Sequence, residues 1–284
     1  MQNMKIIFSE RCLHYSQAGH PESPERVRAS YEYLKNKYEL VPPTDIEELD
    51  ILRVHSQTLL DSVKTGRFYD GDSPNYPNIF SYAKLSAGAA VKASDIALNS
   101  EKAISLLRPP GHHAGRDSLG GFCYFNNVAI AVAKALMQVG KMAIIDFDCH
   151  HGNGTQDIFL GKPNVLYVSL HQSPLYPGTG LTSEGNCLNF PVPAGTNEAN
   201  YMTTFSTAID EVSKFDPDLI AVSAGFDTYK GDPLTGLSLE ISTYEKIGKA
   251  ISAMGKPVFA VLEGGYSKDL PECIHSFLIG LDSP

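Results

Sequence analysis

Six short apolar runs constrain this chain more than any other feature: Ile6-Ile7-Phe8, Ala103-Ile104-Ser105-Leu106-Leu107, Met142-Ala143-Ile144-Ile145-Asp146, Val165-Leu166-Tyr167-Val168, Leu219-Ile220-Ala221-Val222 and Val258-Phe259-Ala260-Val261-Leu262. Each is continuously hydrophobic rather than alternating, as expected of strands buried on both faces of a parallel sheet. Helical patterns over 83–98, 127–139, 201–214 and 242–254 lie between them. Strands alternating with helices predict an α/β fold in which helices cover a largely parallel sheet. At 284 residues the chain can bury one large core or two small ones. No linker or composition break divides it, so residues 1–284 are expected to form a single domain.

The unusual polar clusters each follow one of these runs. His112 and His113 come after the Ile104 run, Asp146 to His150 close the Ile144 run, Asp227 follows Ile220, and Gly264-Gly265-Tyr266 follows Phe259. Open parallel sheets bind ligands beyond the carboxyl ends of their strands, so four loops are predicted to converge on one rim.

The residue types at that rim suit a metal-dependent hydrolase. Asp148 and His150 stand two apart, and in extended backbone both would project to the same side as metal ligands. Asp227 is the natural third ligand, and three protein ligands leave a position open for water or substrate. A neutral imidazole from His112 or His113 could take a proton from an activated water and pass it to a leaving amine. Asp146 and Asn153 are candidates to orient those rings. Gly264-Gly265-Tyr266 sets a phenol on a flexible, close-approach turn, from which it could donate to a developing oxyanion.

Each feature has a plainer alternative. An Asp-x-His can be a hydrogen-bonded loop, Asp227 a helix N-cap, Asp146 the anchor of a structural monovalent cation, and Gly-Gly-Tyr only a turn. Asn153-Gly154-Thr155 matches a glycosylation sequon but falls inside the candidate site. Gly178-Thr179-Gly180 lacks the third glycine of a dinucleotide loop.

Composition narrows the class further. A net charge of -9 disfavours direct nucleic-acid binding. No apolar run approaches the ~20 residues of a membrane span, and Met1 to Phe8 resembles a first strand more than a signal peptide. The five cysteines are scattered and odd in number, which suggests reduced thiols and a cytoplasmic setting.

Taken together, the ordered motifs resemble the zinc-dependent histone deacetylases, including the deacetylase-like and acetylpolyamine amidohydrolases, with a class II flavour in Leu262-Glu263-Gly264-Gly265-Tyr266. The matching runs are His20-Pro21-Glu22-Ser23-Pro24-Glu25-Arg26, Arg108 to Ala114, Gly120 to Asn127, Asp146 to Thr155, Tyr176-Pro177-Gly178-Thr179-Gly180, Ser223 to Asp227 and Leu262 to Tyr266. The resemblance implies an arginase-deacetylase fold with an eight-stranded, mostly parallel sheet covered by helices on both faces. It implies zinc on Asp148, His150 and Asp227, expected at one per chain; ligand type alone does not fix the metal, so iron or cobalt could substitute. It also implies a structural potassium ion at Asp146, Asp148, His150, Ser169 and Leu170.

By the same resemblance His113 is the general base and acid, His112 its electrostatic partner, and Tyr266 the carbonyl-polarising donor. Phe122 and Tyr176 would line a channel for an aliphatic arm, and Gly121 would accept from the substrate amide. Leu234 would stand at the mouth and Asp72 at the rim. The departures are Asn153, where some relatives carry Asp, and Leu234, where some polyamine-selective members carry an acid. The expected activity is removal of acetyl or short acyl groups from lysine-like amines, in peptides or small acylated amines. The alternatives are an acetylpolyamine deacetylase, a catalytically silent acyl-lysine-binding module and an arginase-like dinuclear hydrolase. The oligomeric state stays open.

Overall fold

Every residue of the central strands is buried, so both faces of the sheet must be covered. The computed structural model describes residues 4–283. Among them, the strands are β1 Met4–Ile7, β2 Glu39–Val41, β3 Lys102–Ser105, β4 Met142–Asp146, β5 Val165–Gln172, β6 Cys187–Val192, β7 Leu219–Ala224 and β8 Val258–Leu262. They form one eight-stranded sheet in the order β2-β1-β3-β8-β7-β4-β5-β6. Every pairing in it is parallel. All side chains of β4, β5, β7 and β8 are buried. That explains why their sequences are continuously apolar.

The apolar runs mark six of the eight strands, with β4 and β8 at the expected limits. Phe8 falls just beyond β1, whereas β5 runs on to Gln172. The two strands without an apolar run are the sheet edges. β2 is three residues with two exposed side chains, and β6 contains Pro191, a residue tolerated at an edge where a donor is not needed.

The helices are α1 Pro24–Leu34, α2 Glu48–Ile51, α3 Gln57–Thr65, α4 Ile79–Leu98, α5 Asn127–Ala135, α6 Asn153–Phe159, α7 Glu198–Phe215, α8 Ile241–Ser252 and α9 Leu270–Leu281. α4 and α5 pack on each other and on the strands, while α8 and α9 form a second packed group with α1 and α7. The helix starts have local causes. Asn126 accepts from the Ala129 amide at 3.0 Å, and Asn197 accepts from that of Asn200 at 3.1 Å. Among the described residues, no helix is long and apolar enough to cross a membrane.

The loop carrying the tandem histidines is anchored by a buried ion pair. Arg108 is fully buried, and its Nε and Nη2 donate to Glu22 Oε1 and Oε2 at 2.7 and 2.6 Å. Its remaining donors reach the carbonyls of Cys12, Tyr15 and Glu22 at 2.8–3.0 Å. The guanidinium also lies 3.6 Å from the Tyr15 ring centroid. All five N–H groups are thereby satisfied, the condition under which a buried cation is tolerable. Glu22→Gln should strand that cation and lower unfolding stability by about 3–5 kcal/mol. A denaturant midpoint matching the parent protein would show the pair to be dispensable.

Candidate active site and metal centre

β3, β8, β7 and β4 are neighbours, so the loops that follow them open on one edge of the sheet. There Asp148, His150 and Asp227 bring a donor atom each to within 4.8 Å of one another. His150 Nδ1 lies 3.1 Å from Asp148 Oδ1 and 3.0 Å from Asp227 Oδ2. The second oxygen of each carboxylate is held by the backbone: Gly264 N donates to Asp148 Oδ2 at 2.8 Å, and Cys149 N to Asp227 Oδ1 at 2.7 Å. A side chain at Gly225 would put Cβ 2.1 Å from Asp148 Oδ2, and one at Gly264 would put it 2.4 Å from Asp227 Oδ2. Both glycines are therefore required for the carboxylates to meet.

Asp148 and His150 are not on a strand end, as their spacing suggests; they lie in a bend beyond β4. The His150 amide donates to Asp148 Oδ1 at 2.9 Å, and this local bond curls the chain. Nor does Asp227 cap a helix, since turns follow it.

Two buried carboxylates facing one imidazole leave an excess of negative charge. Burial and the Asp148 carboxylate together push Asp227 up to about 7. Asp148 is held low against its own burial by the charges of His112 and His150. Two carboxylate oxygens and an imidazole nitrogen preorganised around one point fit a divalent cation of the zinc, iron or cobalt type.

The tandem histidines have different partners. His112 Nδ1 is 3.1 Å from Asp146 Oδ2, which also accepts from the Tyr167 hydroxyl at 2.9 Å. His113 Nδ1 is 2.7 Å from the uncharged Asn153 Oδ1. Burial would lower His112, but the Asp148 and Asp146 carboxylates outweigh it and raise the group to about 10. Burial lowers His113 well below the ordinary value, and the charges of His112 and His150 act in the same direction. Near neutral pH one ring is a fixed imidazolium and its neighbour a neutral base. With Asn153 Oδ1 accepting from Nδ1–H, the free lone pair of His113 is on Nε2.

Above these groups a cavity of about 240 Å³ is lined by His112, His113, Asp148, His150, Gly264 and Tyr266, then by Gly121, Phe122 and Tyr176, with Asp72 and Leu234 among its other walls. Phe122 and Tyr176 are the wall's non-catalytic aromatics, and Tyr176 packs edge-on against His113 at 5.0 Å. Phe122 holds a left-handed backbone at φ +70, strained for an aromatic residue, and its amide donates to Ser73 Oγ at 3.0 Å. A side chain at Gly121 would collide with His113, Cβ to Cδ2 2.4 Å.

The turn bearing Tyr266 is not the flexible element its glycines suggest. Gly264 N is held by Asp148 and Gly264 O by Phe226 N. Arg26 takes the carbonyls of Glu263 and Gly265 and lies 4.9 Å from the Tyr266 ring centroid. Asp232 Oδ2 accepts from Tyr266 N at 2.7 Å.

The residues proposed for potassium are only partly gathered. Ser169 stands opposite Asp146 in register, with Leu170 next in β5, but the Ser169 hydroxyl is 2.8 Å from His171 Nδ1. Sequence reasoning missed two buried acids. Glu263 Oε2 accepts from the amides of Gly111 and His112 at 2.7 and 3.2 Å, fixing the histidine loop from beneath. Asp232 ties Tyr266 to the mouth. Their signals were present in Leu262-Glu263-Gly264 and Gly231-Asp232-Pro233, but acids next to glycine are indistinguishable from ordinary turns without the tertiary contacts.

Comparison with known proteins gives consistent matches. The histone deacetylase domain matches residues 20–281. A probable deacetylase of Archaeoglobus fulgidus is 38% identical, over 92% of this chain and 81% of that protein. A probable deacetylase of Methanothermobacter thermautotrophicus is 39% identical, over 98% and 91%. The crystal structure of acetylpolyamine aminohydrolase from Burkholderia pseudomallei superposes with a TM-score of 0.94, at 28% identity and 99% coverage of both chains.

The contrast between the two histidines is open to direct measurement. Asn153→Asp would place a carboxylate on His113 Nδ1–H, as Asp146 does on His112. The His113 pKa should then rise from its depressed position, by ~1–3 units for a close opposite charge, followed by NMR of the ring nitrogens. An unmoved or lowered His113 titration would mean that Asn153 does not keep this ring neutral.

Proposed function

The chain belongs to the histone deacetylase family, and from that premise we propose that it is a zinc-dependent deacetylase releasing acetyl or short acyl groups from lysine-like primary amines. Hydrolysis of the amide bond of acetylated amines is the activity of the family. One observation carries the finer reading: one cavity is lined together by Asp148 and His150 of the Asp148–His150–Asp227 triad, by His113 and by Tyr266. The whole of residues 1–284 is read as one catalytic domain.

Asp148, His150 and Asp227 would hold the zinc, and iron or cobalt would suit the same set of donors. When bound, the ion supplies Lewis acidity, polarising the acyl carbonyl and easing deprotonation of water. The chain's own residues do the rest. His113 Nε2 takes the proton as the water oxygen bonds to the carbonyl carbon. Tyr266 donates to the oxygen that gains charge. The His112 imidazolium, kept charged by the Asp148 and Asp146 carboxylates, offsets the negative charge that develops at the site. The C–N bond then breaks as His113 returns its proton to the departing amine, leaving a carboxylic acid and a free amine, and the acid's proton then passes to the amine to give a carboxylate and an ammonium. A structural potassium ion is assigned to Asp146, Asp148, His150, Ser169 and Leu170; the parallel register of Asp146 with Ser169 supports it. Five free thiols support a reducing setting such as the cytoplasm. An intact set of ligands, bases and phenol argues against a silent binding module.

Chelation should abolish turnover and zinc should restore it, while Asp148→Ala or Asp227→Ala should bind no metal and remain inactive. Tyr266→Phe should keep fold and metal content but lose about 10²–10³-fold in kcat, the effect of one oxyanion donor. Full turnover without metal, or an unchanged kcat for the Phe variant, would overturn these assignments.

For the substrate, the Phe122–Tyr176 walls suit an uncharged methylene arm, and Leu234 at the mouth offers no carboxylate to a second ammonium. We therefore favour acetyl-lysine-like substrates, with Asp72 accepting from peptide N–H groups. The whole-chain likeness to an acetylpolyamine aminohydrolase keeps the polyamine reading in view. Asp72→Ala should raise KM for acetyl-lysine peptides, and wild-type kcat/KM should vary little with ionic strength. If acetylated polyamines are preferred ~10-fold or more and that preference falls steeply with salt, as exposed charge attraction must, the polyamine reading takes over.

A further inference from the structure

Asp232 is buried, yet both of its oxygens are committed to backbone amides. Oδ1 accepts from Leu234 N at 3.0 Å, an ordinary local turn bond. Oδ2 accepts from Tyr266 N at 2.7 Å across 34 positions of sequence. A carboxylate is costly to bury, and a neutral amide or a water would serve a simple turn. The loop it belongs to is also tied at both ends. Thr235 donates to the Asp227 carbonyl beside the metal triad, and the Tyr229 hydroxyl reaches Asp269 Oδ2 at 3.1 Å, just before α9.

Resting on the role given above to Tyr266, we propose that Asp232 is the positioning residue for that phenol and that it joins the oxyanion donor to the channel mouth at Leu234. Arg26 holds the carbonyls on either side of Gly264 and faces the Tyr266 ring, and Phe122 meets that ring edge-on at 5.9 Å. Those contacts fix the ring laterally. The Gly265–Tyr266 peptide, from which the Cα–Cβ direction of Tyr266 follows, is held at its carbonyl by Arg26 and at its N–H by the Asp232 bond. Releasing it lets the turn rotate and moves the hydroxyl away from the carbonyl oxygen. A misplacement of about 1 Å in a catalytic group can cost ~10²-fold. The Leu234 bond is a separate lever: losing it shifts the mouth, which acts on substrate binding.

The test is a double-mutant cycle with Tyr266→Phe, using Asp232→Ala and the milder Asp232→Asn on metal-loaded enzyme checked for metal content and melting temperature. If Asp232 acts through the phenol, Asp232→Ala lowers kcat ~10- to 100-fold in the wild type but less than ~3-fold in the Tyr266→Phe background. Asp232→Asn, which keeps one acceptor, should fall between. Any rise in KM from the loosened mouth should persist in both backgrounds. Equal fold-losses of kcat in the two backgrounds, for either variant, would overturn the proposal and leave Asp232 a structural residue. A Tyr266→Phe enzyme with normal kcat would instead remove the assignment on which the proposal rests, and the proposal with it.

Discussion

Two carboxylates repel each other strongly in a buried site, and this chain places Asp148 and Asp227 against a single imidazole nitrogen. The arrangement holds because each acid surrenders one oxygen to a backbone amide of a different loop, Gly264 N or Cys149 N. Those amides belong to segments following β8 and β4, on either side of β7. The sheet order is therefore a condition of the metal centre as well as its scaffold. Gly225 and Gly264 have the same origin: where two acids must touch, no third side chain fits between them.

The catalytic asymmetry grows from a second layer of the same construction. Tandem histidines begin chemically identical, and their neighbours separate them. The Asp148 and Asp146 carboxylates keep His112 protonated, whereas burial, the adjacent His112 charge and an uncharged partner in Asn153 keep His113 neutral. Beneath both, Glu263 grips the amides of Gly111 and His112, and the buried Glu22–Arg108 pair anchors the start of the loop. The pairing with Asn rather than Asp favours a ring that gives up its proton readily.

Rigidity at the rim comes from side chains gripping main chain. Arg26 holds the carbonyls of Glu263 and Gly265, Asp148 the amide of Gly264 and Asp232 that of Tyr266, so a glycine-rich turn behaves as a fixed platform. Phe122 is retained in a left-handed conformation by the packing around it, which directs the ring along the cavity wall. Strain and gripped amides are both features that composition conceals.

The sequence alone determined the sheet interior, because strands buried on both faces must be continuously apolar, and it marked β4 and β8 to the residue. It also determined which side chains bear chemistry, since two acids and three histidines placed just after such strands have no role in packing. It left the edge strands β2 and β6 unmarked: with one side open, neither needs the apolar run. Only the tertiary structure decided that Asp148 and His150 meet through a bend rather than along a strand, that two neighbouring histidines are shifted in opposite directions, and that Glu263 and Asp232 belong to the site. Each of those outcomes depends on a partner from another loop, and the field or hydrogen bond that such a partner supplies is absent from the residues read in order.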